Sequence, residues 1–245
     1  MALPNLKIER SNYYKQVLRV QKSNMFGFWR ANEDGPSLNC GDWSPQFNNA
    51  AFSAATMMAQ GRGPDGHPCP LFGTGVVLNL YSAGLAADTT MAEVSGIVWA
   101  QGNPGHMAGT TAGYILALIT DANNNLIISK NTTAYQVAFD YQANNTDEQT
   151  TKTLDATVAN DWHCYGFSVS DTDDYAKFYV DGVLEGTDTG IGTWSGALAE
   201  DTTVVGSSAA GTPADTFDGY ISLIALWNTP LSDSEHKLLG TMLGS

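Results

Sequence analysis

The sequence predicts an all-β sandwich of two antiparallel sheets, with one short helix near each end. Three observations carry that expectation. Short apolar runs recur along the whole chain, and turn formers separate them: 25 Gly, together with frequent Thr, Asn and Asp. Apolar residues make up 43% of the 245 positions and charged residues 15%, enough for a substantial core and too little charge for a disordered chain. No internal repeat or Pro- or Ser-rich linker divides the chain, so one domain is expected over 24–245, preceded by a basic arm and short helix over 1–23.

Residues 1–10 read as an extended arm. From Ser11, a potential N-cap, Tyr13 or Tyr14, Val17 and Leu18 fall at helical spacing, which predicts an amphipathic helix of about ten residues. Met25–Trp29 reads as the first strand, and Asn32–Pro36 turns the chain. Further strands are expected near 51–58, 75–81, 92–101, 113–120, 125–130, 134–141, 149–158, 162–170, 175–181, 202–206 and 217–227. Asp121–Asn125 suits a longer hairpin loop. Asp181-Gly182 is a type I′ hairpin signal, because both central residues of that turn need positive φ.

Alternation predicts which faces are covered. Over 162–170, Tyr165, Phe167 and Val169 point one way, and Cys164, Gly166 and Ser168 the other. Over 217–227 both faces are apolar, with Tyr220, Ile224 and Leu226 on one and Ile221, Leu223 and Trp227 on the other. Such a strand needs cover beyond the opposing sheet, and the two terminal helices are the candidates. The C-terminal one is announced by Ser232-x-x-Glu235, a capping box, followed by Leu238, Leu239 and Met242; a helix over about 233–242 is expected.

Charge is unevenly spread. The net charge is −14, which argues against nucleic-acid binding. Lys7, Arg10, Lys15, Arg19, Lys22 and Arg30 against Glu9 give the first thirty residues +5, leaving −19 on the rest. This segment is either an attachment patch for an acidic neighbour or a solvated helix face packed on its own domain. Cys40, Cys69 and Cys164 match no disulfide framework, so reduced thiols are expected. The opening residues lack an apolar signal-peptide core, and no apolar run is long enough to span a membrane. The glycosylation patterns at Asn131 and Asn144 read as chance matches in Asn/Thr-rich loops.

The second half carries an ordered set of motifs: Asp161-Trp162-His163, Phe178-Tyr179-Val180-Asp181-Gly182, Thr203-Val204-Val205-Gly206, Phe217-Asp218-Gly219-Tyr220-Ile221, Ala225-Leu226-Trp227-Asn228 and Leu231-Ser232-Asp233-Ser234-Glu235. This order resembles the laminin G-like branch of the concanavalin A-like lectin/glucanase superfamily, over about residues 90–245. Over 11–90 the likeness is looser, through Phe28-Trp29 and through Pro70-Leu71-Phe72-Gly73, where Gly73 replaces an Asp of the family pattern. The resemblance implies a jelly-roll sandwich. The Tyr13-Tyr14 helix and Thr193-Trp194-Ser195-Gly196 are also similar to laminin G-like proteins encoded by tailed bacteriophages.

Because that superfamily includes endoglucanases, catalysis needs a test. Retaining members carry Glu-x-Asp-x-x-Glu on one strand, which sets nucleophile and acid on one face. None of the seven Glu residues (9, 33, 93, 148, 185, 200 and 235) has Asp two positions later, so no catalytic residues are expected. Gly61–Gly66 matches Gly-x-Gly-x-x-Gly, yet His67-Pro68-Cys69-Pro70 cannot start the helix a dinucleotide site requires. His67 and Cys69 have no second ligand pair at zinc-like spacing. Calcium is the metal the resemblance brings into question. Asp171–Asp174 superficially resembles a calcium loop but reads as a solvated turn, and Ser222-Leu223 stand where related members often carry an acidic residue.

Two functions follow as expectations. The first is a non-catalytic virion component of a tailed phage, on capsid or tail, assembled in the host cytoplasm. It would be attached to other virion proteins, or to copies of itself, through Lys7, Arg10, Lys15, Arg19 and Lys22. The second is a free lectin-like domain with Trp43 or Trp194 as sugar platforms; Tyr135 also lies near a loop. Neither calls for a cofactor, a nucleic acid or a membrane.

Overall fold

The computed structural model describes residues 13–31, 39–53, 61–73 and 75–241. In chain order it begins with α1 (Tyr13–Val17), β1 (Met25–Arg30), β2 (Asn39–Cys40), β3 (Ala50–Phe52), β4 (Gly61–Arg62), β5 (Pro68–Cys69), β6 (Leu71–Phe72) and β7 (Leu78–Asn79). Then come α2 (Ala83–Asp88), β8 (Glu93–Gly102), α3 (Pro104–Ala108), β9 (Gly113–Asp121), β10 (Asn124–Lys130), β11 (Gln136–Ala143) and β12 (Thr146–Thr153). The chain continues through β13 (His163–Ser170), β14 (Tyr175–Val180), β15 (Val183–Asp188), β16 (Thr203–Val205), β17 (Gly219–Trp227) and α4 (Asp233–Thr241).

Two antiparallel sheets form the sandwich. The first runs β1-β17-β8-β13-β14-β15, with β6 added on β17; the second runs β12-β11-β10-β9-β16-β7-β3-β2. Between them lies the main core, where Phe139 stacks on both Phe167 and Phe178 at centroid distances of 5.8 and 5.7 Å. At one margin the two sheets are tied by side chains. Lys152 Nζ meets Glu185 Oε2 at 2.8 Å, and Thr150 Oγ1 donates to Asp188 Oδ2 at 2.7 Å.

A second core lies on the outer face of the first sheet. Ile97, Trp99, Cys164, Leu223, Ala225 and Trp227 are covered there by Tyr13, Val17 and Val20 from one terminus, and by Leu231 and Leu239 from the other. Hydrogen bonds lock the cover in place. Trp99 Nε1 donates to Tyr13 Oη at 2.6 Å, Tyr13 Oη donates to the Leu239 carbonyl at 3.0 Å, and Trp227 Nε1 donates to the Val20 carbonyl at 2.9 Å. Residues 13–23 are thus built into the sandwich rather than standing apart from it.

Several details differ from the sequence expectations. Among the described residues the N-terminal helix spans Tyr13–Val17 and stops short of the expected end; a turn with Gln21 in a left-handed conformation (φ 43°) then leads the chain toward β1. Ser11 lies outside the described residues, as do most of 51–58 and Asn32–Pro36. The strand expected over 75–81 is only Leu78–Asn79. The expected 149–158 strand begins earlier and ends at Thr153, since Asn144 and Asn145, both at positive φ (49° and 67°), make the tight turn before it. The β9–β10 connection is also tighter than a long loop, with only Ala122 and Asn123 between the strands. In β17 a register shift between Ile221 and Leu223 moves Ile221 into the main core with Ile224 and Leu226, whereas Leu223 and Trp227 face the second core. Asp174 is not merely solvated: its Oδ1 accepts from the backbone N–H groups of Gly190 and Ile191.

Candidate functional site

β1 is buried along its length and anchors the loop that follows β2. Asp42, 6% exposed, organises that loop. Its Oδ1 accepts from the N–H groups of Phe28 (2.8 Å) and Ser44 (2.7 Å), and its Oδ2 accepts from Ser44 Oγ (2.6 Å) and the Asn48 N–H (2.6 Å). Asn48 fastens the far end. Its Nδ2 donates to the Phe26 carbonyl at 2.9 Å, its own carbonyl accepts from Trp29 Nε1 at 2.7 Å, and its Oδ1 accepts from Ser82 Oγ at 2.8 Å. Ser82 also caps α2 through the Leu85 N–H. Loop 41–49 is therefore sewn to β1 and α2 by buried polar groups, each satisfied.

What this frame displays is aromatic. Trp43 is 52% exposed and Phe47 76% exposed. Phe47 sits at φ 58°, a conformation that non-glycine residues adopt only where surrounding contacts impose it. Beneath Trp43 the Arg30 guanidinium lies 5.5 Å from the indole ring, and Tyr14 lies on the guanidinium at 4.5 Å. Arg30 Nη2 reaches Asp65 Oδ2 at 3.5 Å, so the stack is charge-balanced. Large apolar rings held in water by a rigid polar scaffold form a surface fit for a ligand with an apolar face.

The other expected positions fall differently. Trp194 is corrected as a platform: it is 8% exposed, belongs to the main core and packs 5.9 Å from the Tyr141 ring, so no face of the indole is open to a sugar. Tyr135 is half-buried against the main core, with its N–H donating to the Met107 carbonyl. Lys15, Arg19 and Lys22 are exposed, while Lys7 and Arg10 lie outside the described residues. Arg19 and Lys22 line an open groove of about 580 Å³ together with Gln16, Gln21, Glu235 and Leu238. Phe47 was missed by sequence reasoning. Its signal lay in Asp42-Trp43-Ser44, where an Asp followed by Ser can fold a loop around its own carboxylate.

Two of the histidines, His163 and His236, make hydrogen bonds inside the fold. His163 Nδ1 pairs with Asp181 Oδ2 at 2.7 Å while Nε2 meets the Val158 carbonyl at 3.0 Å. Burial alone would lower its pKa, but the hydrogen bond and charge of Asp181 raise it above the ordinary imidazole value. Ser168 Oγ donates to the Leu231 carbonyl and so accepts from His236 Nε2, at 2.8 Å. His236 stacks on Tyr179 at 3.9 Å, and burial pushes its pKa down to about 3. The three cysteines are buried, and burial raises the Cys69 thiol to about 12. Gly61–Gly66 belongs to a β4–β5 hairpin with no helix behind it. Among the described residues no three His, Cys, Asp or Glu side chains converge on a common point.

The family model described as concanavalin A-like lectin/glucanases superfamily, laminin G type, matches residues 87–235. No curated protein sequence matches the chain. Among solved structures, the receptor-binding domain of botulinum neurotoxin C/D mosaic serotype superposes with a TM-score of 0.67 at 11% identity, covering 89% of this chain and 51% of that one. The binding domain of botulinum neurotoxin DC in complex with SialylT gives 0.60 at 13% identity, covering 91% and 52%. The same domain in complex with rat synaptotagmin II gives 0.61 at 13% identity, again covering 91% and 52%. The chain spans about half the length of these relatives, and the likeness is one of fold.

Proposed function

The chain belongs to the concanavalin A-like lectin/glucanases superfamily, and within that fold we propose that it is a non-catalytic binding module whose loop 41–49 takes a carbohydrate against Trp43 and Phe47. The observation that carries this reading is the pairing of two exposed aromatic rings with a buried carboxylate that fixes their loop. Sugar C–H faces stack on such rings, and a loop already ordered by Asp42 loses little conformational freedom on binding. Three of the glutamates are held by partners within the fold: Glu235 caps α4, Glu185 pairs with Lys152, and Glu93 accepts from the Thr172 N–H. A glycan array tests the reading. Wild-type protein should bind a defined set of glycans, and Trp43→Ala should lower that signal about tenfold or more, the loss expected when a central aromatic anchor is truncated. Calcium has no part in this binding, so EDTA should leave it unchanged.

A second reading is favoured by the exposure of Lys15, Arg19 and Lys22 on an otherwise acidic molecule. In it the domain is a virion component of a tailed phage, on capsid or tail, assembled in the host cytoplasm and held through its basic N-terminal segment, with the aromatic loop facing outward. Co-purification with intact particles, and release as salt rises, would support this reading. Failure to co-purify would remove it.

A further inference from the structure

The groove between the α1–β1 connection and α4 has a composition that neither the core nor the aromatic loop explains. Arg19 and Lys22 stand exposed on one wall, and Leu238, 45% exposed, stands on the other. Neither cation takes part in an ion pair among the described residues. Glu235 is the acidic side chain lining the groove, and its carboxylate is already used. Oε2 accepts from the Ser232 N–H and Oγ, both at 2.8 Å, and Oε1 accepts from Gln21 Nε2 at 2.9 Å. The walls themselves are fixed, because Val20 holds Trp227 from one side and Tyr13 holds the Leu239 carbonyl from the other. Among the described residues the result is a preformed, net-positive trough with a single apolar seat.

We propose that this groove is the docking site for an acidic protein segment carrying an apolar residue. Carboxylates of the segment meet Arg19 and Lys22, and the apolar side chain sits on Leu238. This names the partner chemistry of the attachment reading and rests on it; it is independent of the glycan reading. Charge complementarity selects the occupant. The remainder of the chain carries −19, so a nucleic acid long enough to extend past the groove meets repulsion, whereas a short acidic segment confined to the trough does not. A lipid surface would need a broad apolar face, and among the described residues Leu238 is the lone exposed apolar side chain of this groove.

Fluorescence anisotropy of the full chain with a labelled peptide of sequence EELEELEE tests the assignment. Binding is expected at low salt, weakening roughly fivefold between about 0.05 and 0.5 M salt. The double variant Arg19→Glu/Lys22→Glu should bind roughly tenfold more weakly or worse, and Leu238→Ser several-fold more weakly. Trp43→Ala should bind as wild type. All these positions are exposed, so an unchanged circular dichroism spectrum and melting temperature certify the fold of each variant. No binding at low salt, binding indifferent to charge reversal at Arg19 and Lys22, or preferential binding of double-stranded DNA would overturn the proposal. Whether the domain sits on a particle is read separately by co-sedimentation, so failure of the peptide titration and failure of the attachment reading can be told apart.

Discussion

Asp42 carries more of the site than its single position suggests, since four donors converge on its carboxylate. Asp42→Ala leaves buried donors without acceptors, a loss of about 3 kcal/mol or more by the usual cost of unsatisfied groups. Urea denaturation should record that drop, and glycan binding should fall although Trp43 and Phe47 are untouched. Two histidines set opposite pH limbs. The folded pKa of His163 is raised by Asp181, so its contribution to stability is complete below the unfolded value of about 6.5 and is lost as pH rises through the folded pKa. The His236 pKa is depressed to about 3, so stability is complete above the unfolded value of about 6.5 and is lost as pH falls from there toward about 3. Melting temperature should therefore peak near neutrality. Asp181→Asn, which keeps a side-chain oxygen for the Cys164 N–H, should flatten the alkaline limb. His236→Phe, which keeps the stack on Tyr179, should flatten the acid limb; unchanged profiles would contradict both assignments.

At the scale of elements, α4 shows how local signals and tertiary packing combine. The Ser232–Glu235 capping box forms as expected: the Ser232 N–H donates to Glu235 Oε2 and the Glu235 N–H donates to Ser232 Oγ. Ser232→Ala should cost about 1 kcal/mol, measurable by thermal denaturation. The hairpin before it is tied to the same helix. Asp181 and Gly182 both take positive φ (51° and 75°), and a Cβ on Gly182 would come within 2.7 Å of Lys237 Cα. Gly182→Ala should thus destabilise through backbone strain and through contact with α4 together, by more than the Ser232 cap is worth. Elements of this kind were legible because their chemistry is local. The Asn144-Asn145 turn was equally local and was read as part of an Asn/Thr-rich loop, but nothing in the loop's composition marked how tight it is, so the strand after it was expected to begin at 149 rather than at Thr146. The bulge in β17 was not legible: a two-residue alternation gives no sign of an inserted residue, so Ile221 was placed on the wrong face. Trp194 shows the same limit, since proximity to turn residues does not reveal whether an indole points into Tyr141 or into water.

Over the whole molecule, the need for a second core was visible in the apolar character of both faces of β17, and both terminal helices supply the cover. Packing at the second core sets the place of the described part of the basic segment, from Tyr13 on, which brings Arg19 and Lys22 beside α4 and Tyr14 beside Arg30. The same layout leaves loop 41–49 as a rigid projection with its aromatic rings in solvent. Of the six tryptophans, Trp29, Trp99 and Trp227 are fully buried, Trp194 nearly so, Trp162 is partly buried and Trp43 is more than half exposed, so the share of acrylamide quenching that Trp43→Ala removes reports on Trp43. Titrating in a glycan that scores on the array should shield that fluorescence in wild-type protein and have no such effect in Trp43→Ala. A glycan that binds while Trp43 stays fully open to acrylamide would contradict the assignment of this loop as the binding site.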